Sequence, residues 1–161
     1  MAKKKSAGIL LYRFSGATIN FFLVHPGGPF WAKKDHGAWS IPKGGFDDTE
    51  DALEAAKREF HEETGFQFEG TNLIALTPLK QPSGKIVHAW AAEGDCDASQ
   101  IKSNLLRLEW PPKSGVIKEF PEVDRAEWFD LTSARQKLLR GQIGFLDQTL
   151  AALKISPAAS A

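Results

Sequence analysis

The 161-residue sequence has a single cysteine and no long apolar run. Because Cys96 stands alone, no internal disulfide can form, and no cysteine and histidine residues have the spacing of a zinc site. The apolar stretch that follows the basic N-terminal residues is too short for a signal peptide or a membrane helix. These absences predict a protein of a reducing compartment, the cytoplasm, with no membrane partner.

The sequence also lacks an excess of charge of either sign, since 20 lysine and arginine residues balance 20 aspartate and glutamate residues. No overall field would therefore draw the chain to nucleic acid, and we expect no stable nucleic-acid partner. An anionic substrate must instead be recognised by local groups. With no internal repeat or linker, the length predicts one domain over residues 1–161, of which residues 156–161 form a flexible tail. The oligomeric state stays open.

The clearest helical segment is residues 52–64, which contain no glycine or proline and are rich in alanine, glutamate, lysine and arginine. Asp47, Asp48 and Thr49 are candidate N-caps, and Gly65 supplies a left-handed stop at the other end. The helical period also gives an apolar stripe that can pack against a sheet. This stripe consists of Leu53, Ala56, Phe60 and Thr64.

Three carboxylates share a neighbouring face of this helix, because Glu59, Glu62 and Glu63 stand at positions i, i+3 and i+4. Such a cluster repels itself unless a cation lies between its members. Oxygen ligands favour a hard divalent ion, which predicts Mg²⁺, with Mn²⁺ as a substitute. Arg58 lies one turn before Glu62 and could hold that carboxylate in a ligating rotamer. For such residues taken alone, a solvated charged face is the alternative.

The remaining pattern predicts strands on both sides of this helix and helices near the end of the chain. The predicted strands cover residues 7–14, 19–25, 38–42, 66–80 and 85–93 and the stretch that ends at Phe129; the later helices cover residues 131–140 and 143–155. Residues 103–121, which contain two adjacent prolines, are predicted as a long loop. Residues 43–45 are predicted to turn the chain into the first helix. The order of elements predicts an α/β fold, an α/β/α sandwich around a mixed β-sheet.

Residues 44–66 follow the spacing G-x5-E-x7-R-E-U-x-E-E-x-G-U, where U is a bulky apolar residue. All nine fixed positions are occupied, by Gly44, Glu50, Arg58, Glu59, Phe60, Glu62, Glu63, Gly65 and Phe66. This segment resembles the signature of the Nudix hydrolases. The resemblance implies the same α/β/α sandwich and the hydrolysis of a phosphoanhydride.

Two further sites outside the helix follow from the resemblance. Residues 42–44, Pro-Lys-Gly, are similar to a turn in the dinucleoside polyphosphate and diphosphoinositol polyphosphate branches of the family. This similarity implies that Lys43 contacts phosphate and that the Gly44 carbonyl is a metal ligand. In many Nudix proteins a carboxylate just before the last strand reaches the metal site, which implies Glu122, with Asp124 as the second choice.

The loop at residues 26–37 is dense in glycine and proline and carries aromatic and basic side chains. As a lid, it would stack Phe30 or Trp31 on a base while Lys33 and Lys34 meet phosphates. The alternative is a solvated loop that two buried aromatic side chains hold in place.

Together, the carboxylate cluster and the resemblance predict a Mg²⁺-dependent pyrophosphohydrolase. Its substrate would be a small nucleotide, a nucleoside diphosphate linked to another moiety, with a dinucleoside polyphosphate first. Glu59, Glu62 and Glu63 are the expected metal ligands, and the general base is Glu62, Glu63 or Glu122. A nucleoside triphosphatase and an ADP-ribose or nucleotide-sugar hydrolase are the other enzyme hypotheses. A catalytically silent nucleotide-binding module and a structural domain are the non-enzymatic ones.

Overall fold

The computed structural model describes residues 5–156. The chain begins with an antiparallel hairpin of two long strands, β1 (Lys5–Ser15) and β2 (Thr18–Pro26). Runs of apolar and β-branched residues favour both strands, and Gly16 supplies the positive φ of 62° that the turn requires. The predicted hairpin is confirmed. Apart from Ser156, the predicted tail lies outside the described residues.

Seven further strands follow. They are β3 (Lys43–Phe46), β4 (Thr71–Ala75), β5 (Leu79–Lys80), β6 (Ile86–Glu93), β7 (Leu105–Glu109), β8 (Ile117–Pro121) and β9 (Val123–Asp130). A seven-stranded mixed sheet runs in the order β4, β6, β1, β2 and β9, with β3 paired to β1 and β5 paired to β6. β1 and β6 are parallel, whereas β3 runs antiparallel to β1. β7 and β8 form a separate two-stranded sheet.

Helices cover both faces of this sheet: α1 (Ala52–Thr64) on one face, α2 (Leu131–Lys137) and α3 (Ile143–Leu153) on the other. Successive side chains of a strand point to opposite faces, and β1 shows this directly. Ile9 and Leu11 pack in the core beneath α1, whereas Leu10 and Tyr12 pack in the core beneath α2 and α3. The predicted α/β/α sandwich around a mixed sheet is confirmed. Within the described residues, no helix is long and apolar enough to cross a membrane.

Several predicted boundaries are wrong. The strand predicted at residues 38–42 is reduced to isolated bridges at Trp39 and Ser40. Residues 43–45 are not a turn but the start of β3, because pairing with β1 satisfies the backbone groups of its two glycines. The strand predicted at residues 66–80 is split into the short strands β4 and β5.

The long loop predicted at residues 103–121 is wrong as well, since the hairpin of β7 and β8 occupies most of it. The prolines and Gly115 that suggested a loop lie in the hairpin's turn. The later helices are shorter than predicted. α2 ends at Lys137 because Leu138 pairs with Trp39 in a parallel bridge, and α3 ends at Leu153 because Lys154 adopts a left-handed conformation.

Candidate functional site

The helix that carries the acidic cluster has well-defined ends. The Asp51 side chain accepts a hydrogen bond from the Glu54 backbone N–H at 3.1 Å and is the N-cap. At the other end, Gly65 adopts the predicted left-handed conformation, with a φ of 82°. The predicted N-caps are wrong, because they form the turn that precedes the helix: Asp47, Asp48 and Thr49.

The three helix carboxylates differ in burial. Glu59 and Glu63 are 7% and 8% exposed, whereas the Glu62 side chain is 36% exposed. Within residues 5–156, Glu59 Oε2 is buried and no hydrogen bond reaches it. Since buried carboxylate oxygens normally have partners, this oxygen marks a position where a positive group is needed.

Arg58 contacts three acids of the signature at residues 44–66, namely Glu50, Glu59 and Glu62. Its Nη2 donates to Glu50 Oε2 at 2.9 Å, and its Nη1 donates to Glu62 Oε1 at 3.3 Å. The same Nη1 lies 3.6 Å from Glu59 Oε1. The expected contact between Arg58 and Glu62 is therefore present, and the guanidinium orients two further carboxylates as well.

As the side chains stand, no group of three histidine, cysteine, aspartate or glutamate residues within residues 5–156 is arranged to hold a metal ion. The rotamers explain this result, because Glu62 faces Arg58 and Glu63 Oε1 accepts the Lys43 backbone N–H at 3.2 Å. The donor set nevertheless fits a hard divalent cation. It offers three carboxylates within two turns of helix, and the unpaired oxygen of Glu59 lacks the positive partner that such an ion would supply.

Gly44 in β3 lies directly against Glu59. A Cβ atom built on Gly44 would lie 1.9 Å from Glu59 Oε1 and 2.2 Å from Oε2, far inside van der Waals contact. Only glycine fits there without a shift of the strand or of the carboxylate. The close approach brings the backbone of β3 to the edge of the acidic cluster.

A cavity of about 310 Å³ opens beside this cluster. Lys43, Glu63, Glu122 and Trp31 are among the residues that line it. Glu122 stands between β8 and β9, far along the chain from α1, and lines the same cavity as Glu63. The structure brings together acids, a lysine and an aromatic ring in one concave site.

Burial dominates the electrostatics of this site. It raises the pKa of Glu59 to about 7, and the negative charge of Glu62 adds to the effect. Burial also raises the pKa of Glu63 well above its ordinary value, with a further contribution from Glu122. The pKa of Lys43 is lowered, again chiefly by burial. Glu59 and Glu63 therefore hold protons at pH values at which exposed carboxylates release them.

This pKa shift predicts how stability depends on pH when no metal is bound. Because the pKa of Glu59 rises from 4.5 to about 7 on folding, the folded state binds a proton more tightly between these values. The free energy of unfolding should therefore fall as the pH rises through this window, by up to about 3 kcal/mol. Urea unfolding in EDTA at pH 5 to 8 measures it. In Glu59→Gln, the free energy of unfolding should depend less on pH. If the wild type and this variant showed the same pH dependence, Glu59 would not be the group responsible.

The loop at residues 26–37 contributes one of its two aromatic side chains to the cavity. Trp31 is half-buried and lines the cavity, with Lys34 Nζ 4.9 Å from the centre of its ring. Phe30 is 56% exposed and lies outside the lining. It packs edge-on against Trp110, with the two ring centres 5.2 Å apart. Lys33 is exposed and also lies outside the lining. The alternative of two buried aromatic side chains is wrong for Phe30.

His25 and Asp124 fasten this loop to β9, a contact that the sequence did not reveal. His25 is fully buried; its Nδ1 lies 2.8 Å from Asp124 Oδ1, and its Nε2 lies 2.6 Å from the Lys34 carbonyl oxygen. A carbonyl oxygen only accepts, so Nε2 donates. Asp124, the second choice for the outer acid, is thus engaged by His25. No sequence signal could have shown this, because the partners lie 99 residues apart.

Removal of this contact should loosen the loop. We expect Asp124→Ala to lower the free energy of unfolding by about 1 to 3 kcal/mol, because His25 would stay buried with one ring nitrogen unpaired. Glu127→Ala, an exposed acid on the same strand, is the matched control and should change stability little. Urea unfolding compares the two variants, and equal stabilities would show that the contact does not hold the loop.

A model of the NUDIX domain family matches residues 2–149. The RNA pyrophosphohydrolase of Bartonella henselae is 32% identical in an alignment of 107 residues that covers 58% of this chain. The chain spans 57% of the length of that relative.

Among solved structures, the C. elegans Ap4A hydrolase in a binary complex superposes with a TM-score of 0.66 at 24% identity, over 93% of this chain and 97% of that one. The NUDIX domain of Shewanella oneidensis NrtR, complexed with ADP ribose, gives a TM-score of 0.65 at 15% identity, over 95% and 90%. Both structures show the same fold. The family match over nearly the whole sequence, together with this shared fold, establishes that the chain belongs to the Nudix family.

Proposed function

We propose that this chain is a Mg²⁺-dependent pyrophosphohydrolase that cleaves a phosphoanhydride in a nucleoside diphosphate linked to another moiety. The observation that supports this function is a single cavity lined by Lys43, Glu63 and Glu122, beside the unpaired buried oxygen of Glu59. Members of the family generally use a divalent metal ion. A dinucleoside polyphosphate is the first candidate substrate, on the strength of the Pro-Lys-Gly segment that holds Lys43.

Glu59, Glu62 and Glu63 would hold the metal, with the Gly44 carbonyl as a further ligand. A bound divalent ion offsets the negative charge of the phosphates and lowers the pKa of a water molecule. Mn²⁺ would substitute for Mg²⁺ in this oxygen-rich site.

The protein's own groups would bind the substrate, orient the metal ligands and move a proton. Arg58 would fix the Glu62 carboxylate through the hydrogen bond already present. Lys43 would bind a phosphate, and Trp31 would stack on the base at the wall of the cavity. The general base is Glu62, Glu63 or Glu122, of which Glu122 alone comes from outside α1. Phe30 and Lys33 lie outside the cavity lining, so we assign them no direct contact with the substrate.

A second substrate has support of a different kind. The Bartonella henselae relative is an RNA pyrophosphohydrolase, so the 5′-triphosphate end of an RNA is the alternative. The shared chemistry is a nucleoside 5′-polyphosphate. Such an end would be a transient substrate, in keeping with a chain whose acidic and basic residues balance.

We propose the cytoplasm as the location and residues 1–161 as one domain.

A substrate panel tests the function. Purified protein with Mg²⁺ is given a dinucleoside tetraphosphate, a nucleoside triphosphate, ADP-ribose and a 5′-triphosphate oligoribonucleotide, and the products are separated by anion-exchange chromatography. We expect fastest cleavage of the tetraphosphate and none in EDTA. Binding of a nucleotide without turnover would identify a silent module instead. An absence of divalent binding by calorimetry would support a structural domain.

A further inference from the structure

A larger cavity of about 680 Å³ adjoins the cavity beside the acidic cluster. We call this larger one the basic cavity. The two cavities share Lys43, Trp31 and Leu139 in their linings. The basic cavity adds Lys85 and Arg140, and none of the residues that line it is acidic. In a chain with equal numbers of acidic and basic residues, this is a local excess of positive charge.

Three separate segments supply these cations. Lys43 begins β3, and Lys85 closes the turn before β6, where its carbonyl accepts the Gln81 backbone N–H at 2.7 Å. Arg140 begins a short 3₁₀ turn, Arg140–Gln142, between α2 and α3. Within residues 5–156, no carboxylate forms an ion pair with Lys85 or Arg140.

Two side-chain amides, of which one is buried, tie these segments together. Gln81 Nε2 donates to the Gly141 carbonyl at 2.9 Å, which joins the Lys85 turn to the Arg140 turn. Gln142 is fully buried, and its Oε1 accepts the Ile41 backbone N–H at 3.0 Å, two residues before Lys43. The backbone beneath the three cations is therefore one hydrogen-bonded frame. Like charges held on such a frame favour an anion that can contact all of them.

We propose that the basic cavity binds the distal phosphates of the substrate, so that the substrate class is a dinucleoside polyphosphate whose phosphate chain continues past the cleaved anhydride. This inference rests on the proposed function. Lys43 stands at the junction of the two cavities and would contact the phosphates nearest the bond that breaks. Lys85 and Arg140 would then determine specificity by distinguishing a long phosphate chain from a short one.

Direct binding tests the subsite without turnover. Inorganic tripolyphosphate is titrated into metal-free protein in EDTA by isothermal calorimetry. The wild type should bind it, and the double variant Lys85→Gln/Arg140→Gln should bind about tenfold more weakly, since two exposed charge-assisted contacts are lost. Lys118→Gln, an exposed lysine outside the cavity, is the control and should match the wild type. No binding by the wild type, or equal binding by the double variant, would overturn the proposal.

Kinetics separate this proposal from the proposed function. In the double variant, kcat/KM for a dinucleoside tetraphosphate should fall about tenfold, mainly through KM, and more than kcat/KM for ADP-ribose. An equal loss on both substrates, or a loss confined to a 5′-triphosphate RNA, would overturn the subsite and leave the hydrolase in place. If the wild type cleaved no nucleotide yet bound tripolyphosphate through these residues, the proposed function would fail and the anion site would stand.

Discussion

Glu62→Gln should leave the fold intact and reduce nucleotide hydrolysis by about two to four orders of magnitude. Glutamine keeps the size and helix propensity of glutamate but removes the charge that a divalent ion needs. The Glu62 side chain is 36% exposed and hydrogen-bonds to Arg58, so little of the core depends on it. Turnover of a dinucleoside tetraphosphate in Mg²⁺ measures the loss, and circular dichroism confirms the fold.

Two comparisons make this result specific. Glu54→Gln changes an exposed acid in the first turn of the same helix and should retain full activity. Arg58→Ala should cost about ten- to a hundredfold, less than Glu62→Gln, because Arg58 acts by orienting carboxylates. Wild-type turnover in Glu62→Gln would remove this carboxylate from the metal site and from the candidates for general base.

The features that the sequence predicted correctly depend on local signals. The bounds of α1 follow from a run of helix-forming residues that Gly65 ends, and the first hairpin follows from two apolar runs around Gly16. The acidic cluster could be predicted in the same way, because the helical period alone places Glu59 and Glu63 one turn apart. Each of these features lies within a few residues of the signal that reveals it.

The features that the sequence missed depend on partners far along the chain. The start of β3 was predicted as a turn because Gly44 and Gly45 favour turns, yet β1 offers these residues a pairing partner more than thirty positions earlier. The contact of His25 with Asp124 and the cation set of the basic cavity likewise join segments that no local pattern relates. Long-range pairing overrides local propensity at these positions.

The site couples its electrostatics to its proposed chemistry. Glu122 and Glu63 share one cavity, and after burial the charge of Glu122 is the main cause that raises the pKa of Glu63. Within the described residues Arg58 contacts Glu59, but it leaves Glu59 Oε2 without a hydrogen bond. The protein thus keeps a destabilising arrangement that a divalent cation would relieve, which is typical of functional sites.

Gly44→Ala should damage both stability and activity. The new Cβ would lie 1.9 Å from Glu59 Oε1, so either β3 or the carboxylate must move. The carboxylate is the far end of a flexible side chain, so the clash should cost about 1 kcal/mol, the low end for overpacking, whereas displacement of this proposed metal ligand should cost about ten- to a hundredfold in activity. Urea unfolding and turnover in Mg²⁺ measure the two effects on the same protein preparation.

The double variant Gly44→Ala/Glu59→Ala shows whether the clash is the cause. Truncation of Glu59 removes the carboxylate that the Cβ would strike, so the double variant should regain most of the stability that Gly44→Ala loses. Activity should not return, because the proposed metal ligand is absent. Stability losses that simply add in the double variant would mean that Gly44 is required for some property of β3 other than its contact with Glu59. Restored activity would show that Glu59 is not a ligand.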